Sequence, residues 1–150
     1  MKQEDKELLL KDLCARLPYG VIGQCEIDAS YDTPFETKPQ THRFNAEVYG
    51  LLEEGLLFVT PLIENQDLQE FANEEVSNGV DILDFKPYLF PISSMTKGQK
   101  YEYQYITERW MYDPAYSISD STDWLNKNHF DYRGLIKKEL AIDATGKNIY

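Results

Sequence analysis

The stretch NHFDYRGLI, residues 128–136, brings together side chains suited to chemistry. His129, Asp131 and Arg133 occur at alternate positions, and Gly134 follows them. Histidine titrates near neutrality, so His129 oriented by Asp131 would act as a general base, with Arg133 holding an anion. Residues two apart on a helix point to different sides, however, and Gly134 is typical of a helix end. We therefore interpret the stretch as the exit from a helix, fixed by its polar groups, and keep the catalytic site as an alternative.

The two cysteines, Cys14 and Cys25, allow several chemistries. Lys11 and Arg16 lie near Cys14 in the sequence, and cationic neighbours activate a thiol, which would then use a histidine as its base. Cys14 also falls on the apolar stripe of a predicted helix, and cysteine is among the most buried residue types. We expect two buried thiols, with a disulfide or a reactive Cys14 as the alternatives. The sequence has no Cys-x-x-Cys pair, so it predicts no structural zinc site.

An acidic segment dominates the charge of the chain. The net charge is −11, and residues 44–85 hold ten acidic residues and no basic one. Phosphate backbones are bound by Lys and Arg, so direct binding of nucleic acid is not expected, whereas a basic protein would be a suitable partner. The candidate protein-binding residues are Glu64, Asp67, Glu70, Glu74 and Glu75. A solvated face is the other interpretation, and the spacing does not match a calcium-binding loop.

Aromatic residues cluster in the last third of the chain. The cluster consists of Tyr101, Tyr103, Tyr105, Trp110, Tyr112 and Tyr116. Aromatic side chains can stack on bases or sugars, but only Lys97, Lys100 and Arg109 are interleaved with these. The pattern therefore favours packing or a protein interface.

Hydrophobic periodicity predicts a single α+β domain over residues 1–150, with N-terminal and C-terminal helices packed on a small, mainly antiparallel β-sheet. Pro18 ends the first helix, and Asp120 or Ser121 caps the last one. The predicted strands are 20–28, 43–60, 79–85 and, as the favoured of two alternatives, 101–107. A helix is the alternative for 101–107, because Thr96 and Gln99 have the spacing of a capping box.

The remaining segments are predicted as connections. Residues 32–42 contain two prolines and read as a loop, and Pro87 and Pro91 indicate an extended connector. Residues 65–79 form either a short acidic helix, with Leu68 and Phe71 on its apolar face, or a long excursion.

Three stretches carry a resemblance. They are LLLKDLCARLPYGV at 8–21, KPYLFPISSMT at 86–96, and WLNKNHFDYRGLI at 124–136 with the following LAIDATG at 140–146. In combination they resemble a family of short uncharacterised proteins from Bacteroidetes-type gut bacteria, encoded near prophage or mobile-element genes. The resemblance implies a bacterial, intracellular protein linked to a mobile element. It assigns no activity, cofactor or site residue.

These features favour a non-enzymatic protein-binding or mobile-element accessory protein with an acidic recognition surface. A small hydrolase or transferase using His129 and Asp131, or Cys14, is the alternative, and a structural domain without a site is the third. No apolar run is long enough to span a bilayer, and the charged N-terminus is unlike a secretion signal, so a cytoplasmic location is expected. The sequence predicts no cofactor, no catalytic residue and no metal ligand.

Overall fold

A computed structural model describes residues 3–32, 37–52, 55–109, 111–113 and 118–150. The chain divides into two compact units, residues 1–87 with Tyr150, and residues 88–149. The fold is α+β and its strand pairing is mainly antiparallel, as the sequence predicts. The prediction of one domain stays a prediction, and the two units are described separately below.

The first unit is built on an antiparallel sheet. Strands β1 (Val21–Asp32), β2 (Thr37–Leu51) and β3 (Leu56–Pro61) follow one another along the chain and pair as neighbours. β2 and β3 account for most of the predicted strand range 43–60, and they pair antiparallel as a hairpin. Its buried positions alternate along β2 and β3, as expected for a sheet with one covered face, and include Ala46, Val48, Leu57 and Val59.

Gly23 is required where β1 meets the next strand. β5 (Phe85–Pro91) begins in the first unit, where its first three residues pair antiparallel with Gly23–Cys25. A Cβ atom at Gly23 would collide with the ring of Phe85 and the carbonyl of Lys86. The glycine that weakens the strand pattern in the sequence therefore permits close approach of the neighbouring strand.

The predicted loop at 32–42 is wrong where the structure describes it. Residues 37–42 belong to β2, and Asp32 pairs with Thr37, while residues 33–36 lie outside the described part. Within the described residues, positions 37–43 of β2 pair with β1 alone. Proline is tolerated in a strand with a free edge, which explains why Pro39 does not break the pairing.

Helix α1 (Gln3–Arg16) ends before Pro18, in a 3₁₀ turn at Leu17–Tyr19, as predicted. Its buried face carries Leu9 and Leu13, at the expected spacing. The same face also carries Asp12 and Arg16, which are fully buried. The predicted burial of Cys14 is wrong, because the inner face turns towards Asp12 and Arg16 and leaves Cys14 exposed.

Of the two alternatives predicted for residues 65–79, the structure shows the helix. Helix α2 (Gln66–Glu75) begins at Asn65, whose side-chain oxygen accepts a hydrogen bond from Leu68 N at 3.0 Å. Ala72 and Val76 are buried and Phe71 is half-buried, whereas Leu68, on the predicted apolar face, is 48% exposed.

The predicted strand at 79–85 is mostly wrong. Within this range only β4 (Val80–Asp81) and Phe85, the first residue of β5, are in strands, and β4 pairs with the start of β3. A 3₁₀ turn at Ile82–Asp84 follows, because the Asp81 carboxylate accepts a hydrogen bond from Leu83 N at 2.9 Å and bends the chain.

The second unit contains the end of β5 and two short parallel partners. Tyr88 and Leu89 pair with β7 (Ile142–Asp143), and Phe90 and Pro91 pair with β6 (Phe130–Asp131). The extended connector predicted at Pro87 and Pro91 is therefore strand β5, since the extended conformation that proline imposes on its predecessor is also that of a strand.

The preferred strand at 101–107 is wrong, and the helical alternative holds. Helix α3 (Lys97–Arg109) begins with the capping box: Gln99 N donates to Thr96 Oγ1 at 3.2 Å, and Thr96 N donates to Gln99 Oε1 at 2.9 Å. This reciprocal pair satisfies two backbone donors and fixes the start of a helix. Tyr101, Tyr103 and Tyr105 occur at every second position, which is the spacing of one face of a strand, but all three lie in helix α3.

Helix α4 (Ile118–Lys127) begins earlier than predicted, so Asp120 and Ser121 lie inside it and do not cap it. Its inner face joins the core of the second unit, which comprises Met95, Leu125 and Phe130 with Phe90, Tyr103, Trp124 and Tyr132 packed around them. No helix in the described ranges is long and apolar enough to cross a membrane.

Candidate functional site

Four of the five acidic candidates lie on one helix. Glu64 precedes α2, and Asp67, Glu70, Glu74 and Glu75 are part of it, all five of them exposed. Among the described residues none of the five takes part in an ion pair. Gln66 Nε2 donates a hydrogen bond to Glu70 Oε1 at 3.3 Å, and this contact leaves the charge of Glu70 in place. The helix therefore presents unneutralised carboxylates to solvent.

A small apolar pocket lies beside this helix. The pocket, named the α2 pocket below, has a volume of about 130 Å³ and is lined by His42, Arg43, Phe44, Ile63, Leu68, Phe71 and Ala72. Helix α2 supplies one wall and β2 supplies the other. The rings of Phe71 and His42 meet with their centroids 5.3 Å apart. The wall of α2 remains partly open to solvent, because Leu68 is 48% exposed.

The segment between β3 and α2 closes the α2 pocket, and Gln69 holds this segment in place. Its side-chain amide donates to Pro61 O at 2.8 Å and accepts from Ile63 N at 3.2 Å. Leu62 N donates to Asn45 O at 2.7 Å, which holds the same segment on β2. These bonds satisfy backbone groups that would otherwise be free in a turn, so the position of Ile63 is defined before any ligand binds.

Arg43 is the cationic residue of the α2 pocket, and it is engaged by a carboxylate. Arg43 Nε lies 2.6 Å from Glu26 Oε2 across the paired strands β2 and β1. This bond lowers the pKa of Glu26 and raises that of Arg43, because each charged form is favoured by the other. The guanidinium is thus already neutralised locally.

A second pocket in the first unit is polar. It has a volume of about 170 Å³ and is lined by Gln24, Glu26, Leu83, Asp84 and Lys86. Partial burial, and then the nearby Asp81, Asp28 and Glu26 carboxylates, raise the pKa of Asp84. A carboxyl with a raised pKa suits proton transfer, but the lining includes no cysteine, serine or threonine nucleophile.

The HFDYRG segment is built into the second unit as a structural exit. His129 adopts a left-handed conformation (φ 56°), its N–H donates to Asn126 O at 3.1 Å, and its carbonyl accepts from Phe90 N at 2.9 Å. These features end α4 and join the chain to β5, so the stretch is a helix exit as the sequence interpretation proposes. The predicted role of Gly134 at the helix end is wrong, because the left-handed residue that follows α4 is His129, and Gly134 lies beyond β6.

Asp131 and Arg133 contribute to the next turn. The two Asp131 oxygens accept hydrogen bonds from Leu135 N at 2.8 Å and Ile136 N at 2.9 Å. The guanidinium of Arg133 stacks on the ring of Tyr132 at 4.3 Å. Both Asp131 oxygens bond to the backbone of the following turn, so these contacts give no support to Asp131 as the group that orients a catalytic base.

The cysteines lie on different elements of the first unit. Cys14 is an exposed free thiol on α1, and Cys25 is a buried free thiol on β1. Burial, assisted by the nearby Asp84 charge, raises the pKa of Cys25 to about 12. Cys25 is therefore an unreactive thiol, since nucleophilic attack requires the thiolate.

The tyrosine cluster is spread around helix α3 and the turn that follows. Tyr101 and Tyr112 are 72% and 83% exposed, whereas Tyr103 is half-buried and packs on Trp124 with ring centroids 5.6 Å apart. Arg109 lies over the ring of Tyr105 at 4.8 Å. Trp110 and Tyr116 lie outside the described residues, so the helix brings together only part of the predicted cluster.

The described residues contain no group of three or more His, Cys, Asp and Glu side chains arranged to hold a metal ion. Comparison with known protein families, curated proteins and solved structures finds no match to this chain.

Sequence reasoning missed the α2 pocket and the buried Asp12–Arg16 pair. The sequence does contain a signal for the pair. Asp12 and Arg16 are four residues apart on the helix face that also carries Leu9 and Leu13, so they can bond to each other within a core. The pocket had none, since its walls come from β2 and α2, which only the folded chain brings together.

Proposed function

We propose that this chain is a non-enzymatic binding protein that recognises a basic protein through the exposed carboxylates of α2. The observation that carries the proposal is the concentration of Asp67, Glu70, Glu74 and Glu75 on a single helix without a described ion-pair partner. Complementary charge steers a basic partner to such a surface and selects against acidic ones.

A cytoplasmic location and a role as a mobile-element accessory factor belong to the same proposal. The free thiols of Cys14 and Cys25 support a reducing compartment, where disulfides are rare. The role in a mobile element is supported by the resemblance of residues 8–21, 86–96 and 124–136. The hydrolase or transferase alternative stays a prediction.

Affinity capture from cell lysate at two salt concentrations tests the proposal. The baits are the native protein and a variant in which Glu70, Glu74 and Glu75 are changed to glutamine, which removes three charges from α2. We expect a partner that is lost at high salt and lost with the variant, because contacts between exposed charges are screened by salt.

A charge-matched variant separates the surface from the net charge. In this control the exposed carboxylates of Glu4, Glu7 and Glu102 are changed to glutamine. The control variant is expected to retain the partner. A partner that survives the α2 substitutions, or one that both variants lose equally, would argue against recognition by α2.

A further inference from the structure

The α2 pocket has the size of a single side chain. Small-molecule sites generally measure about 300–1,000 Å³, whereas a cavity of about 150 Å³ holds one benzene molecule. The pocket, at about 130 Å³, is therefore too small for a cofactor and matches one branched aliphatic or aromatic side chain. Its lining by Phe44, Ile63 and Leu68 favours an apolar group.

Carboxylates stand on both sides of the pocket along α2. Residues four apart lie on the same face of a helix, so Asp67 and Glu75 lie one turn before and one turn after Phe71, which lines the pocket. The pocket is thus an apolar centre between two negative charges.

The spacing of these charges corresponds to an extended peptide. Four helical residues rise about 6 Å, and two residues of an extended strand span about 6.6 Å with their side chains on the same face. We infer, on the basis of the proposed function, that the α2 pocket takes one large apolar side chain of an extended segment of the basic partner, with Lys or Arg two residues before and two residues after it.

The partner chemistry follows from complementarity. The apolar side chain leaves water for the pocket, and the flanking cations meet Asp67 and Glu75 at the exposed rim, where charge sets specificity. Arg43 does not oppose the cations strongly, because Glu26 Oε2 holds its Nε at 2.6 Å.

Selection of displayed random peptides on the native protein tests this inference. The expected result is enrichment of peptides with Lys or Arg two positions on each side of Leu, Ile, Met or Phe. The most enriched peptide then serves as the probe in fluorescence anisotropy, with its apolar residue replaced by alanine as the peptide control.

Two pairs of matched variants locate the contact. Glu75→Gln is expected to weaken the probe about threefold, and Glu4→Gln, the same change at an exposed carboxylate of α1, to leave its affinity unchanged. Leu68→Ala is expected to weaken the probe about tenfold, and Leu52→Ala, at a residue of similar exposure (49% against 48%) outside the pocket, to have no effect.

The outcomes separate the pocket from the wider acidic surface. One possible outcome is that the selected peptides are basic but have no apolar centre, and that Glu75→Gln weakens their binding while Leu68→Ala does not. This outcome would overturn the inference and leave the proposed function standing. Retained peptides that carry no positive charge would overturn both, whereas the absence of any retained peptide would overturn the inference alone. Thermal unfolding of each variant confirms that the fold is intact.

Discussion

Arg16 Nε lies 2.7 Å from Asp12 Oδ2, and neither side chain has any exposed surface. A second hydrogen bond joins Arg16 Nη2 to Asp12 Oδ1 at 3.1 Å, so the pair has the bidentate geometry of the stronger arginine–carboxylate contacts. The pair lies on the face of α1 that also buries Leu9 and Leu13. A complete ion pair is therefore part of the interior of the first unit.

Asp12→Ala is predicted to lower the free energy of unfolding by about 3–5 kcal/mol. Asp12→Ala removes the carboxylate that neutralises the buried charge of Arg16, and breaking a buried ion pair in this way costs more than the pair itself contributes. The measurement is urea-induced unfolding followed by circular dichroism.

The control for this prediction replaces both partners. An Asp12→Leu, Arg16→Met double variant removes both charges and is expected to unfold close to or above the wild-type midpoint. Wild-type stability of Asp12→Ala would show that the buried pair is not required.

Helix α1 shows which structural features can be predicted from the sequence and which cannot. Leu9, Leu13 and Pro18 suffice to place α1 and its end, because apolar periodicity and proline act locally. The same periodicity predicts Cys14 on the buried face, whereas the structure leaves it exposed and buries Asp12 and Arg16 as a pair. A polar residue is assigned correctly to a core only when its partner is known.

Long-range pairing explains the other differences. Residues 37–42 have loop composition, yet β1 supplies a pairing partner that holds them in a strand. The spacing of Tyr101 and Tyr105 fits both a strand and a helix, and the Thr96–Gln99 capping box favours the helix α3. The acidic residues of the candidate site were predictable from their types. The pocket beside them was not, because it depends on the packing of α2 against β2.

Gly134→Val is predicted to lower the free energy of unfolding by about 1–2 kcal/mol. Gly134 has φ +75°, a conformation that side chains with a Cβ atom disfavour. No atom lies within 4 Å of the Cβ position, so the effect isolates backbone strain. Chemical denaturation measures it.

Gly98→Val is the matched control, because Gly98 also has open space at its Cβ position but lies in helix α3 without positive φ. It is expected to change stability by less than about 0.5 kcal/mol. Equal effects of the two substitutions would exclude the left-handed conformation as the cause.

The two thiols are predicted to differ in their reaction with a disulfide reagent at about pH 8. Cys14 is exposed and should react at once, whereas burial keeps Cys25 protonated and out of reach. Absorbance of the released thiolate should report one group per native chain and two per denatured chain. Cys14→Ser should abolish the fast reaction, and a fast group remaining in that variant would contradict the assignment.

Tyr150 is predicted to make the protein less stable in alkali. Tyr150 is 45% exposed as a whole, but desolvation of its hydroxyl raises its pKa from 10.0 to about 12. The hydroxyl donates a hydrogen bond to the carbonyl of Ile22 at 3.3 Å. The folded state thus holds the proton more tightly than the unfolded state. The resulting stability is fully present below pH 10 and is lost as the pH rises towards about 12. Urea midpoints across this range measure the slope.

Two tyrosine variants test the origin of that slope. Tyr150→Phe removes the titrating group, so the fall in stability between pH 10 and about 12 should be shallower than in the wild type. Cys25, whose pKa is raised in the same direction, continues to contribute in this variant and prevents a flat profile. Tyr112→Phe, at a residue that is 83% exposed, should retain the wild-type slope. If both variants follow the wild-type profile, the alkaline transition arises from groups other than Tyr150.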